Sequence, residues 1–430
     1  MSHRSRQLRV SSLARVEGEG ALRVLVTDGR VERAELNIYE PPRFFEAFLR
    51  GRAYTEPPDI TARICGICPV AYQTSACNAL EQLCEVELDP ELAALRRLLY
   101  CGEWISSHAL HIHLLHIPDF LGYSDAISLA RDHRELVEQG LAMKKAGNTL
   151  LELIGGRAIH PINVRVGGFY STPSRAALAP VAEQLRAALE YAVDTAHWAA
   201  EFEFPELELD HDLLAATTPG RYAIEQGTVH TSTGMNFPAA EFSAHVVEEQ
   251  VPHSTALHAR LDGKRYLTGP LARYSLNSGS LSPLARAVAA DIGLGAECRN
   301  PFRSILVRSV EAVYAIDEAL RIIAEYEPPP RPAVPCTPRA GVGHGVSEAP
   351  RGLLYHRYEV DDTGTVRAAT IIPPTSQNQA AIEDDLRRVV SENLELDDAA
   401  LTTLCERTIR NYDPCISCSA HFLELDLVRR

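Results

Sequence analysis

The pattern of apolar and polar positions divides the chain into a strand-like opening and a long, mostly helical remainder. Ala21 to Thr27 and Arg30 to Tyr39 read as strands and flank Asp28-Gly29, a dipeptide that favours the tight turn of a hairpin. Phe44 to Gly51 then fits a short helix. Pro69 suits the first position of a helix running to about Glu85, with Cys68 as its cap. Asp89-Pro90 opens a long apolar-periodic stretch to Ile117, where Pro118 is expected to stop it. Helical spacing recurs over Asp132 to Gly155, Thr172 to Phe204 and Pro301 to Tyr326. Tyr222 to Leu276 alternates irregularly, broken by Gly and Pro, and reads as a second small sheet region. Glu327 to Gly343, which contains Pro328-Pro329-Pro330, reads as an extended surface loop. The expected fold class is α+β, predominantly helical: a central helix bundle with small peripheral sheets.

At 430 residues the chain exceeds what one simple core usually holds, yet no clean linker cuts it. A single composite domain over 1–421 is expected: an N-terminal β region (1–43), a helical core (44–220), a mixed β and loop region (221–300) and a C-terminal part (301–421). The net charge of −15 argues against nucleic acid or an anionic membrane surface as partner, since both would repel the chain. No run of about 18 apolar residues exists to span a membrane, and polar, basic Met1 to Val10 do not form a signal peptide. Ten irregularly spaced cysteines do not make a secreted disulfide scaffold, so a reducing, cytoplasmic location is expected.

Two Cys-x-x-Cys pairs lie near opposite ends of the chain, Cys65-Gly66-Ile67-Cys68 and Cys415-Ile416-Ser417-Cys418. Two such turns brought together offer four thiolates, a donor set that suits zinc, an iron centre or nickel. Cys68 at the start of a helix would be favoured as thiolate by the helix dipole. His108, His111, His113 and His116 invite a second-metal reading, but at 3.6 residues per turn they do not share one narrow face, and hydrogen-bonded core histidines are expected.

The neighbours of the cysteines narrow the choice. Arg63-Ile64-Cys65-Gly66-Ile67-Cys68-Pro69 and Asp413-Pro414-Cys415-Ile416-Ser417-Cys418-Ser419-Ala420-His421 closely resemble the two signature motifs of the large, catalytic subunit of nickel-iron hydrogenases. The resemblance extends in family order to Arg15-Val16-Glu17-Gly18, Gly155-Gly156-Arg157-Ala158-Ile159-His160-Pro161, Tyr266-Leu267-Thr268-Gly269-Pro270-Leu271-Ala272-Arg273 and Glu348-Ala349-Pro350-Arg351-Gly352. It implies the nickel-iron hydrogenase large-subunit fold and the reversible heterolytic cleavage of dihydrogen. It further implies that Cys65 and Cys415 bind nickel alone, while Cys68 and Cys418 bridge nickel to an iron carrying carbonyl and cyanide ligands.

The same resemblance assigns further residues. Cys415 would take the proton from dihydrogen and Glu17 would relay it outward; burial suits a carboxyl to this task by raising its affinity for protons. Arg351, after Pro350, would hang over the open face of the metals. Thr375 would hold one cyanide, and His111 would lie near the cyanide ligands. Glu46, the carbonyl of Ile371 and His421 match the ligands of a structural magnesium, or in some members iron. Residues 422–430 match an extension that a maturation endopeptidase removes once nickel chaperones have delivered the metal. Ser107 departs from the pattern, standing where many membrane-linked members carry an aspartate near the arginine, and Asp413 is expected to compensate in part.

That departure and the length resemble the cytoplasmic, multi-subunit, NAD(P)-linked branch. Gly341-Val342-Gly343-His344-Gly345 follows a proline-rich loop and fails the strand-turn-helix test for dinucleotide binding. The six other cysteines are scattered, so iron-sulfur clusters and flavin are expected only on partners: an iron-sulfur small subunit and flavin/NAD(P)-binding electron-transfer subunits. Two alternatives compete with a hydrogenase. One is a dihydrogen-sensing regulatory subunit on the same scaffold. The other is a structural zinc or dithiol redox protein, although zinc ribbons draw their pairs from nearby sequence and redox pairs follow a thioredoxin-like strand.

Overall fold

The computed structural model describes residues 5–41 and 44–420; His421 and 422–430 lie outside them. The expected hairpin forms between Gly20–Thr27 and Arg30–Ile38, closed by Asp28 and Gly29, both at positive φ. A third strand, Ser5–Val10, pairs antiparallel with Gly20–Thr27.

Four helices form the central bundle: Pro90–Ala109, Arg134–Gly155, Arg175–Ala199 and Ser304–Glu325. Their mutual faces bury Leu95, Leu98, Leu99, Ile105, Leu150, Leu185, Val310 and Val313 among others. The first of them does not end at Pro118. It continues as a π-helical turn, Leu110–His116, and then as Ile117–Leu121, which Gly122 ends in a left-handed conformation (φ 76). Pro118 is tolerated because it sits in the first turn of that last segment, where it has no helical hydrogen bond to donate.

Several small sheets surround the bundle. Tyr266–Leu267, Asp212–Thr217, Thr228–Thr231 and Asn236–Phe237 form one sheet in that order, its first pair parallel. Val246–Glu249 pairs with His258–Leu261 beside it. Gly341–Ala349, Gly352–Val360 and Val366–Ile372 form an antiparallel meander. Gly341 to Gly343, read from sequence as the end of the extended loop, therefore open a strand. Its glycines let it cross the helix Pro69–Leu83 at backbone contact: a Cβ at Gly343 would lie 2.1 Å from the carbonyl oxygen of Ala79, and one at Gly345 2.4 Å from that of Ser75.

The helices Pro374–Glu392 and Asp398–Asn411 have no counterpart in the apolar pattern. The first turns of Pro374–Glu392 bury Thr375, Ser376, Gln377, Asn378 and Gln379. Hydrogen bonds replace apolar packing there, as in Gln377 Nε2 to Leu353 O (2.6 Å), Thr268 N to Asn378 Oδ1 (2.9 Å) and Ser376 Oγ to Glu248 Oε1 (2.8 Å). A buried polar face leaves no periodic apolar signal. Among the described residues no helix is long and apolar enough to cross a membrane.

Candidate metal centre

Cys68 is the residue before the helix Pro69–Leu83, with Pro69 in its first turn, and Cys65 lies within the loop ahead of it. Cys415 begins the short helix Ile416–Ser419, which carries Cys418. The two turns meet although 350 residues separate Cys65 from Cys415. Cys65 Sγ lies 3.3 Å from Cys415 Sγ, Cys68 Sγ 3.5 Å from Cys418 Sγ, and Cys415 Sγ 2.7 Å from Cys418 Sγ. All four sulfurs lie within 4.8 Å of one another and are buried. Hydrogen bonds from Cys415 and the other two thiols pull Cys65 well below the ordinary thiol range, whereas burial pushes Cys415 and Cys418 up. Four converging soft donors, one of them readily ionised, fit a nickel-iron pair by donor chemistry.

The motif around Glu17 is fixed against the second cysteine turn. Ile416 N donates to Glu17 O (3.0 Å), and Glu17 and Cys415 form an isolated parallel bridge. Gly18, at φ 90, permits this contact: a Cβ there would lie 2.5 Å from Glu40 Oε1 and 2.7 Å from the Ile416 Cβ. The Glu17 side chain, half-buried, then reaches the site, its Oε2 accepting from Ser417 N (3.0 Å) and lying 3.2 Å from Cys415 Sγ.

Arg351 is 2% exposed. Its Nε donates to Asp413 O (2.8 Å), its Nη2 to Asp413 Oδ1 (3.1 Å) and its Nη1 to Ser107 Oγ (3.3 Å). Asp413 stands at φ 50, a left-handed conformation that Asp tolerates better than most residues. Burial works against the charge on Arg351, but Asp413 and the cysteine sulfurs outweigh it and keep the guanidinium protonated. The turn before it is clamped by Arg273, which donates to Ala349 O (2.8 Å) and Pro350 O (3.2 Å), pairs with Glu311 and Glu348, and lies over the Trp104 ring (4.2 Å).

Thr375 Oγ1 accepts from Cys415 N (3.0 Å), fixing the cysteine turn. His111 Nε2 lies 2.9 Å from Arg410 O and 3.9 Å from Asp413 Oδ1, and burial holds its ring neutral. His116 Nε2 meets Asn411 Oδ1 (3.0 Å), and His108 Nε2 lies 3.1 Å from Glu311 Oε2. The π turn changes one expectation: hydrogen bonding from i to i+5 brings residues five apart into register, so the His111 and His116 rings sit side by side, centroids 4.9 Å apart. Glu46 Oε1 accepts from Ile371 N (2.7 Å), and both line a cavity of about 660 Å³ with Cys418 and Ala420. His421 would follow directly but lies outside the described residues.

The structure thus gathers Cys65, Cys68, Cys415, Cys418, Glu17, Arg351 and Thr375, and sets Glu46 beside Ile371. Sequence reasoning missed the roles of Ser417, Arg273, Glu311 and Glu348. Ser417, Arg273 and Glu348 stand within the motifs that carry the family resemblance, but Glu311 lies in the helix Ser304–Glu325 with no distinguishing signal.

Comparison with known proteins agrees with this geometry. The family model described as nickel-dependent hydrogenase matches residues 43–146 and 260–421. The chain is 34% identical over 420 residues to sulfhydrogenase 1 subunit alpha of Pyrococcus furiosus, covering 97% of this chain and 98% of that protein. It is 26% identical to NAD-reducing hydrogenase HoxS subunit beta of Cupriavidus necator, covering 97% and 95%. A crystal structure of an NAD+-reducing [NiFe]-hydrogenase in the H2-reduced state superposes with a TM-score of 0.86 at 26% identity, over 97% of this chain and 99% of that one. With four buried cysteines that converge in a way that could hold a metal, the chain belongs to the nickel-dependent hydrogenases, as a large, catalytic subunit.

Proposed function

We propose that this subunit cleaves dihydrogen reversibly at a nickel-iron centre held by Cys65, Cys68, Cys415 and Cys418, and passes the electrons through an iron-sulfur small subunit to NAD(P). The observation that carries this reading is the Glu17 carboxylate 3.2 Å from Cys415 Sγ inside a buried four-sulfur cluster. Bound nickel and iron, the latter with carbonyl and cyanide ligands, supply the electron-rich site at which dihydrogen is polarised. Cys65 and Cys415 are assigned to nickel, Cys68 and Cys418 to both metals.

The chain's own residues then handle charge. The Cys415 sulfur takes the proton and Glu17 receives it across a hydrogen-bonding distance. Arg351, fixed by Asp413 and Ser107, presents a permanent cation to the bound diatomic ligands. Thr375, already accepting from Cys415 N, has its hydroxyl proton left to donate to cyanide. Glu46, the Ile371 carbonyl and His421 would hold magnesium, and removal of 422–430 would follow metal insertion by the maturation proteins.

Electron transfer to NAD(P) is supported by the named NAD-reducing relatives. Ile159 is exposed beside the first cysteine turn, 3.7 Å from a Cβ built at Gly66, which fits a partner surface there. A cytoplasmic complex follows from this acceptor. Elemental analysis of the native complex, with infrared spectroscopy in the carbonyl and cyanide region and hydrogen-dependent reduction of NAD+ and NADP+, tests the reading. Nickel, iron, those bands and nicotinamide reduction are expected. Zinc without the bands, in a chain ending at His421, would overturn the metal centre; turnover with dyes but neither nicotinamide would overturn the acceptor.

A further inference from the structure

A second cluster of metal-ligating side chains stands apart from the four cysteines. Ring nitrogens of His253 and His258 and a carboxylate oxygen of Glu383 all lie within 4.8 Å of one another. The three come from two distant pieces of chain. His253 and His258 flank the turn into the strand His258–Leu261, and Glu383 projects from the helix Pro374–Glu392. His253 Nε2 lies 2.7 Å from Glu383 Oε1, which also accepts from Leu36 N (2.9 Å). The peptide next to His253 is pinned in turn, since Asn37 Nδ2 donates to His253 O (3.0 Å).

A simple His253–Glu383 ion pair accounts for only two of the three. His258 is 3% exposed and its Nε2 is buried without a hydrogen-bond partner among the described residues. Its ring stands nearly perpendicular to that of His253, at 86° with centroids 5.6 Å apart. An unpaired ring nitrogen buried beside an imidazole and a carboxylate is costly unless something accepts its lone pair or its proton.

We propose that His253, His258 and Glu383 bind a divalent transition ion of the zinc class, at a site separate from the four cysteines. Two imidazoles and one carboxylate are the donor set of that class and disfavour magnesium, which prefers oxygen alone. An imidazole binds such an ion through a bare ring nitrogen, so the ion would replace the proton that His253 shares with Glu383. Three protein ligands leave a position for water, which reaches the partly exposed His253 and Glu383.

The site also has a structural consequence. Ala256, between the two histidines, bridges antiparallel to Ala420, and Thr255 N donates to Ile38 O (2.8 Å). An ion there fastens the loop that receives the end of the cysteine arm.

The test uses the native complex, washed with chelator and titrated with Co2+ as a visible-absorbing stand-in for zinc, in parallel with zinc analysis. Wild-type protein is expected to take up about one equivalent with the absorption of a low-coordinate nitrogen and oxygen site. His258→Gln and Glu383→Gln are each expected to weaken uptake at least about tenfold, while nickel content and hydrogen-dependent dye reduction stay unchanged. If His258→Gln does not fold, Glu383→Gln and His253→Gln give the same reading at partly exposed positions. Uptake that is absent in wild type, or equal in wild type and variants, overturns the site.

Discussion

Glu17 is half-buried, and its carboxylate accepts from Ser417 N and lies beside Cys415 Sγ, the contact on which its proposed proton relay rests. Glu17→Gln keeps size and polarity but cannot relay. Hydrogen-dependent dye reduction is expected to fall by about 10²-fold or more, with nickel, iron and the infrared bands retained; unchanged turnover would remove Glu17 from the path. Asp413 is the second residue whose contact decides something. Asp413→Ala would leave Arg351 buried with a single carbonyl and Ser107, a loss of about 3 kcal/mol or more in a melting or denaturant measurement. Here the sequence was informative: Ser107 flagged an altered partner for Arg351, and Asp413 fills it. The clamp of Arg273 on Glu311 was not legible, because a glutamate inside an apolar helix shows no sign of the partner 38 residues away.

Among the elements, the crossing of the strand Gly341–Ala349 over the helix Pro69–Leu83 depends on bare backbone. Gly345→Ala forces a methyl against the Ser75 carbonyl and is expected to cost about 1–3 kcal/mol, whereas Gly279→Ala, with open space around it, is expected to be tolerated. A thermal melt of the two variants compares them directly. The histidine segment carries a pH dependence. Burial holds His113 at about 4 and His116 at about 3, below the ordinary 6.5, so the unfolded chain binds the protons first as pH falls. Their contribution is complete above about pH 6.5 and is lost on acidification. His113 alone accounts for roughly 3 kcal/mol of loss by pH 4, given one pKa unit as about 1.4 kcal/mol. His113→Leu should flatten the fall in stability between pH 6.5 and 4, and an unchanged slope would show that the ring is already protonated when folded. Sequence periodicity located this helix but not its π turn, which leaves the same residues in the same order and alters only their phase.

For the whole molecule, the four sulfurs form a buried cluster with no other cysteine group beside them among the described residues. Electrons released there by the proposed reaction meet no further cysteine cluster among the described residues. The chain freed of its partner subunits is therefore expected to lose hydrogen-dependent reduction of NAD(P) and of large dyes while keeping its nickel and iron, and re-addition of the iron-sulfur partner should restore it. Sustained NAD(P) reduction by the lone chain would contradict this arrangement.

The sequence by itself determined the features that act over a few residues: the Asp28-Gly29 turn, Pro69 opening a helix at Cys68, the two Cys-x-x-Cys pairs, and the motifs that carry the family resemblance. Turn chemistry, capping and chelate spacing are local, so they can be read without a partner. Tertiary structure alone decided that Cys65 meets Cys415 and Cys68 meets Cys418, that Glu17 touches the second pair through Gly18, that polar Thr375 to Gln379 are core, and that His253, His258 and Glu383 converge. Each of these is a contact between distant stretches of chain. Its energy depends on shape, burial and the satisfaction of polar groups, quantities that exist only once the chain has packed.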